Sequence, residues 1–165
     1  MRCGIALGSN LGDRIAHLRA ARAAVCLLHA GPEAPLISPI YETEPVDCAP
    51  DTPAYLNAVI EIGYQGGALG LLRALQQIEH REGRPEAHVH HAPRTLDLDL
   101  LYAGDTTLQS PVLTLPHPRL AERRFVLQPL ADIRPGLVLP GCKQTVAALL
   151  AALPPAPSAR FFGTF

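Results

Sequence analysis

Leu36-Ile37-Ser38-Pro39-Ile40-Tyr41-Glu42-Thr43 and Tyr55-Leu56-Asn57-Ala58-Val59-Ile60-Glu61-Ile62-Gly63-Tyr64 read as two extended segments joined by one loop, Val46 to Pro53. In the second, Leu56, Ala58, Ile60 and Ile62 alternate with Asn57, Val59 and Glu61, the two-residue period of a strand. Pro39 places an edge or a bulge in the first. This hairpin-like pair lies between two helical stretches. Upstream, Cys3 to Leu7 alternates as a strand, and Gly8 to Asp13 forms a turn that Asn10 or Asp13 could convert into a helix cap. Ile15, Leu18, Ala21, Val25 and Leu28 then give an apolar helical stripe that Gly31-Pro32 ends. Downstream, Gly66-Gly67 breaks the strand and Ala68 to Glu82 reads as a helix, with Leu72, Leu75 and Glu79 on one face. A polar loop from Gly83 to Pro93 leads to a strand from Thr95 to Tyr102.

The order β-α-β-β-α-β predicts an α+β fold, a ferredoxin-like split βαβ core whose antiparallel sheet is covered by helices. Further along, a short strand is expected at Val112 to Leu115 and helical character at Pro118 to Arg124 and Val126 to Ile133. A last short strand is expected at Gly136 to Pro140 and a helix at Thr145 to Leu153. Residues 154–165 read as an irregular, proline-rich tail carrying Phe161, Phe162 and Phe165. With no repeat and no boundary, residues 1–165 are expected to form one domain.

Composition narrows the function. Of 165 residues, 48% are hydrophobic, 18% are charged, and the formal net charge is −1. That balance argues against nucleic acid as a partner, which normally draws a basic excess. No apolar run reaches membrane-spanning length, and the N-terminus lacks the apolar core of a signal peptide. A cytoplasmic, monomeric protein is expected. Cys3, Cys26, Cys48 and Cys142 form no CxxC pair and read as buried thiols. Lys and Arg together number 14, and Lys143 is the one lysine among them. An anion site would therefore rest on arginine forks, which suit phosphate.

Arg94-Thr95-Leu96-Asp97-Leu98-Asp99-Leu100-Leu101 carries the chemistry. Alternation puts Asp97 and Asp99 on one face, with Cα atoms about 6.6 Å apart. Two carboxylates so placed can converge on Mg²⁺, which is commonly held by one or two carboxylates together with substrate phosphates. A solvated polar face on an amphipathic edge strand would give the same pattern. Arg84, Arg94, His117, Arg119, Arg123 and Arg124 tip the reading toward a polyphosphate with a metal. Neither a P-loop nor a G-x-G-x-x-G turn is present.

Several segments carry a family resemblance: Ala6-Leu7-Gly8-Ser9-Asn10-Leu11-Gly12, Tyr41-Glu42-Thr43-Glu44-Pro45-Val46 and Tyr55-Leu56-Asn57-Ala58. Gln76, Ile78-Glu79, Gly83-Arg84, Pro93 through Leu101, Leu115-Pro116-His117-Pro118-Arg119 and Arg123-Arg124-Phe125 follow in order. The chain resembles the 6-hydroxymethyl-7,8-dihydropterin pyrophosphokinases of folate biosynthesis over about residues 4 to 133. The resemblance implies a ferredoxin-like fold. It also implies transfer of the β,γ-diphosphate of ATP to the pterin hydroxymethyl group, releasing AMP. By it, Asp97 and Asp99 would hold two Mg²⁺ ions and would form the catalytic set with Arg84 and Arg94. Gln76, Glu79, Arg84, Arg94, Leu100, His117 and Arg123 would bind ATP. Gly8, Thr43, Pro45, Val46, Tyr55, Asn57 and Phe125 would bind the pterin.

The loop before the signature departs from the family pattern. Glu86 stands where an arginine is usual and His91 where a tryptophan is usual. An acid repels a triphosphate, and an imidazole covers less of a ring than an indole does. His88, His90 and His91 could alternatively bind a transition metal. A catalytically weak or altered-substrate homologue, serving as a nucleotide- or pterin-binding module, is the competing reading of the whole chain.

Overall fold

The computed structural model describes residues 1–44, 53–83 and 94–165. Pro45, Val46, Cys48, Arg84, Glu86, His88, His90 and His91 lie outside the described residues. Their expected roles are therefore not placed.

Chain order runs β1 (Arg2–Ser9), α1 (Arg14–Leu27), β2 (Leu36–Ile37), β3 (Ile40–Thr43), β4 (Tyr55–Gly63), α2 (Ala68–Arg81) and β5 (Asp97–Ala103). Then come β6 (Leu108–Gln109), β7 (Thr114–Leu115), a 3₁₀ turn (Leu120–Glu122), α3 (Arg124–Ile133), α4 (Val146–Ala152) and β8 (Ala159–Gly163). The main sheet is antiparallel, ordered β5-β1-β4-β3-β8, with β2 also pairing with β4. This is the expected α+β, ferredoxin-like arrangement with helices on the sheet.

Strand alternation sorts side chains between two layers. Cys3, Ile5, Leu7, Ala58, Ile60, Ile62, Leu98 and Leu100 face α1 and α2, and pack with Leu18, Ala21, Val25, Leu71 and Leu75. Val59, Leu101 and Tyr102 on the other layer pack with Val126, Leu127 and Leu130 of α3 and Val146 of α4. Each fully buried leucine or isoleucine contributes about 1.5–3 kcal/mol.

Several elements differ from expectation. The segment Leu36 to Thr43 is two strands, because Pro39 has no N–H for the ladder. Ser38 bridges the break: its N–H donates to the Val59 carbonyl (3.0 Å) and its Oγ accepts from the Val59 N–H (2.9 Å). On α2 it is Leu71, rather than Leu72, that is fully buried beside Leu75. The strand expected at Gly136 to Pro140 is one isolated bridge, Val138 to Thr145. The tail is not irregular. Its β8 pairs with β3, with Phe161 edge-on to Tyr41 at 6.3 Å and Arg160 bonded to Glu42 at 2.7 Å. Cys3 is buried, which pushes its thiol up to about 11, whereas Cys26 and Cys142 are only partly covered.

Candidate active site

Three adjacent strands build the site. In the β4-β1-β5 register, Asn57, Gly8 and Asp97 form one cross-strand row, and Val59, Ala6 and Asp99 form the next. A third row holds Glu61, Gly4 and Tyr102. Helix α3 packs on this face through Val126, Leu127 and Leu130, and so covers the Tyr102 end. A Cβ at Gly4 would run into the Tyr102 ring, so only glycine lets that ring lie flat across β1. The Tyr102 hydroxyl donates to the buried Glu61 carboxylate, which also takes Arg2 Nε at 2.7 Å. The other end stays open. There an open cleft is lined by Ala6, Gly8, Asn57, Asp97, Asp99 and Phe125, among others.

The aspartates share one face, as the alternation predicted. Arg94 Nη1 donates to Asp97 Oδ1 at 2.7 Å, and Arg123 Nη1 lies 3.6 Å from Asp99 Oδ2. Arg123 also stacks its guanidinium over the Phe125 ring, 5.5 Å from the centroid. Burial, then the charge of Asp97, push the Asp99 carboxyl above its usual range, against the pull of His117, Arg123 and Arg94. His117 reaches the site through its N–H, which donates to the Leu101 carbonyl of β5 at 2.8 Å. Burial lowers the His117 pKa, and Asp99 draws it back up.

This donor set fits Mg²⁺. Burial first and the Asp97 charge second disfavour the Asp99 carboxylate, and a cation between the two would offset both. Among the described residues no group of three or more His, Cys, Asp or Glu side chains could enclose a metal. An open two-carboxylate site that leaves positions for water and phosphate oxygens is the arrangement Mg²⁺ prefers.

Of the residues expected to bind the pterin, Asn57 and Thr43 are buried together, and Asn57 Nδ2 donates to Thr43 Oγ1 at 2.8 Å. The Asn57 carbonyl oxygen therefore faces the space above Gly8, where an added Cβ would lie 3.5 Å from it. Tyr55 is half-buried at the start of β4. The residues expected to bind ATP are differently placed. Gln76 is exposed on α2, but Glu79 is buried, and its Oε1 accepts the Leu98 N–H at 2.8 Å. β5 is an edge strand, so this N–H has no ladder partner, and Glu79 satisfies it between the two aspartates. The Leu100 side chain is in the core, 3% exposed, so only its backbone at the outer edge of β5 is offered to a ligand. Val126, read from the sequence only as a helix residue, also lines the cleft.

The sequence profile of the 7,8-dihydro-6-hydroxymethylpterin-pyrophosphokinase family matches residues 4–135. The chain belongs to this family. It is 45% identical over 131 residues to the 2-amino-4-hydroxy-6-hydroxymethyldihydropteridine pyrophosphokinase of Bacillus subtilis, covering 78% of this chain and 75% of that protein. The Pseudomonas aeruginosa enzyme of the same name is 41% identical over 155 residues, covering 93% and 92%. Other relatives are longer. The folic acid synthesis protein of Schizosaccharomyces pombe is 39% identical over 152 residues, but the chain spans only 20% of it. The fold matches the Plasmodium falciparum HPPK-DHPS crystal structure with pteroate, at a TM-score of 0.68 and 13% identity, over 91% of this chain and 42% of that one. Pyrophosphokinase activity in folate biosynthesis is the family's activity, and it uses ATP as co-substrate. The alternative of a binding module that has lost catalysis is not favoured. No helix among the described residues is long and apolar enough to cross a membrane.

Proposed function

We propose that this chain transfers the β,γ-diphosphate of ATP to the hydroxymethyl oxygen of 6-hydroxymethyl-7,8-dihydropterin, releasing AMP. The observation that carries the reading is the Asn57–Gly8–Asp97 row, which puts a ring-recognising amide and a cation-holding carboxylate side by side in one cleft. Asp97 and Asp99 would hold Mg²⁺, two ions in the full reading, and bound Mg²⁺ supplies charge neutralisation on the phosphates and a more acidic attacking hydroxyl.

The chain's own residues do the rest. The Asn57 carbonyl oxygen accepts an N–H from the pterin edge, while its amide stays tied to Thr43. Phe125 offers a flat apolar face to the ring, and Gly8 leaves room for it. Pro45, Val46 and Tyr55 would complete that wall. Arg94 and Arg123, each paired with one carboxylate, exchange that partner for phosphate oxygens, with Arg84 as a third arginine. His117 Nδ1 accepts the Arg119 N–H at 3.2 Å, which puts the proton of the neutral ring on Nε2 as a donor for phosphate. The adenosine end would lie along the outer edge of β5, with the Leu100 backbone there and the exposed Gln76 of α2 as its further ligand, while Glu79 acts from beneath by holding Leu98. Most of the acceleration then comes from alignment and charge.

The test is pterin-dependent AMP release from ATP and Mg²⁺, for the wild type and Asp97→Ala. Release by the wild type and its loss in the variant are expected. A folded wild type that forms no AMP would refute the reading.

A further inference from the structure

We infer that Asn10 is a positioning residue that fixes the approach of Arg94 to Asp97; the inference rests on the reading of the site given above. Asn10 is one of two residues in its turn that could have capped α1. Asp13 takes that role, its Oδ1 accepting the Ala16 N–H at 3.0 Å. Asn10 is left for another task. It is 1% exposed, and its Oδ1 accepts the Arg94 N–H at 2.8 Å while its own N–H donates to the Arg94 carbonyl at 3.2 Å. One residue thus occupies both backbone hydrogen-bonding groups of Arg94.

Arg94 needs such a clamp because it precedes β5, which begins at Asp97, so no strand ladder holds it. The neighbouring residues lock the same stretch: Ser9 Oγ donates to the Thr95 carbonyl at 2.6 Å, and Thr95 Oγ1 donates to the Glu82 carbonyl at 3.0 Å. With its backbone pinned on both sides, Arg94 delivers Nη1 to Asp97 Oδ1 at 2.7 Å. The other end of the Asn10 amide has no partner among the described residues: Nδ2 is buried without a hydrogen bond to any of them. An unmet buried donor is unfavourable, so the side chain is kept there for its oxygen. Groups that orient a functional side chain in this way are worth as much to a metal–phosphate site as many direct contacts.

The test is a double-mutant cycle read by calorimetric binding of Mg²⁺ with a non-hydrolysable ATP analogue. The proteins are wild type, Asn10→Ala, Arg94→Ala and the double variant. Asn10→Ala is expected to weaken binding about 10-fold. In the Arg94→Ala background the same change should add nothing, because its effect passes through that guanidinium. Additive losses would overturn the inference. Asn10→Ser, whose hydroxyl is one atom short of Oδ1, loses the bond to the Arg94 N–H without adding a charge and is expected to weaken binding about 10-fold as well. Full binding by a folded Asn10→Ser would also overturn it, and should Asn10→Ala not fold, additive losses of Asn10→Ser and Arg94→Ala would do so. If the wild type binds the analogue yet makes no AMP with pterin, the proposed reaction fails while the cycle still decides the role of Asn10. If the wild type binds no analogue, both fail.

Discussion

Replacing Gly8 by alanine separates the stability of this sheet from its chemistry. Gly8 lies between Asn57 and Asp97 and is not among the residues with a positive φ, so alanine adopts its backbone without strain. The added Cβ would lie 3.5 Å from Asn57 Oδ1 and 3.9 Å from Asp97 Cβ, which is ordinary van der Waals contact. Nothing has to move. Glycine inside a strand is less stable than alanine by about 0.5–1 kcal/mol through chain entropy. For a domain of this size each kcal/mol is worth about 2–4 °C, so the melting temperature should rise by about 1–4 °C. The methyl nevertheless projects about 1.5 Å into the floor of the cleft. A ring lying there must lift by a similar distance, and a misplacement of about 1 Å can lower the rate about 100-fold. The assay is steady-state AMP release with the pterin varied at saturating ATP, beside a thermal melt. A kcat/KM for pterin about 100-fold lower is expected, with the KM for ATP little changed. Unaltered kcat/KM would refute the placement of the ring over Gly8, and a melting temperature many degrees lower would refute the steric reasoning.

Three further outcomes follow from the same geometry. The Asp99 carboxyl has a raised pKa in the fold, so its charged form is disfavoured there: the penalty is absent below the ordinary carboxylate value and grows as pH rises through the folded one. Without Mg²⁺, Asp99→Asn should therefore melt above wild type at pH 7 and converge with it on acidification; a lower melting temperature at pH 7 would contradict this. Glu79→Ala leaves the buried Leu98 N–H without its acceptor and should lower stability by about 1–3 kcal/mol in urea titration, with reduced AMP release; an unchanged midpoint would show that the bond is not needed. Glu86→Arg combined with His91→Trp should raise kcat/KM for the pterin, and no gain in the kinetic assay would count against the charge and stacking argument.

How much of this was legible depended on whether local pattern or distant partners set each feature. The alternation of Leu56 to Ile62 and of Leu96 to Leu100 specified the strands and the face shared by Asp97 and Asp99, because burial on one layer fixes register. The same alternation could not reveal that Asp97 would stand beside Gly8 and Asn57, which is a matter of pairing between distant segments. The family resemblance assigned Glu79 to the nucleotide, while the helical spacing put it on one face with Leu72 and Leu75. That it accepts the Leu98 N–H at the edge of β5 is a matter of packing between distant segments, which no local pattern carries. β8 escaped notice because an edge strand of five residues, with Phe161 and Phe162 largely exposed, has no buried face to impose a period.

The position of β8 has a bearing on synthesis. Thr43, which holds the Asn57 amide, lies on β3, and β3 borders open solvent until Ala159 to Gly163 lie down beside it. Glu42 and Arg160, which join the two strands, are 118 residues apart. While a ribosome is still making the intervening chain, β3 is a bare sheet margin able to recruit a strand from another nascent polypeptide. The side of the cleft that bears Thr43 is thus the last part of the sheet to be closed during translation, and the expression level at which newly made chains crowd one another is where its yield should first suffer.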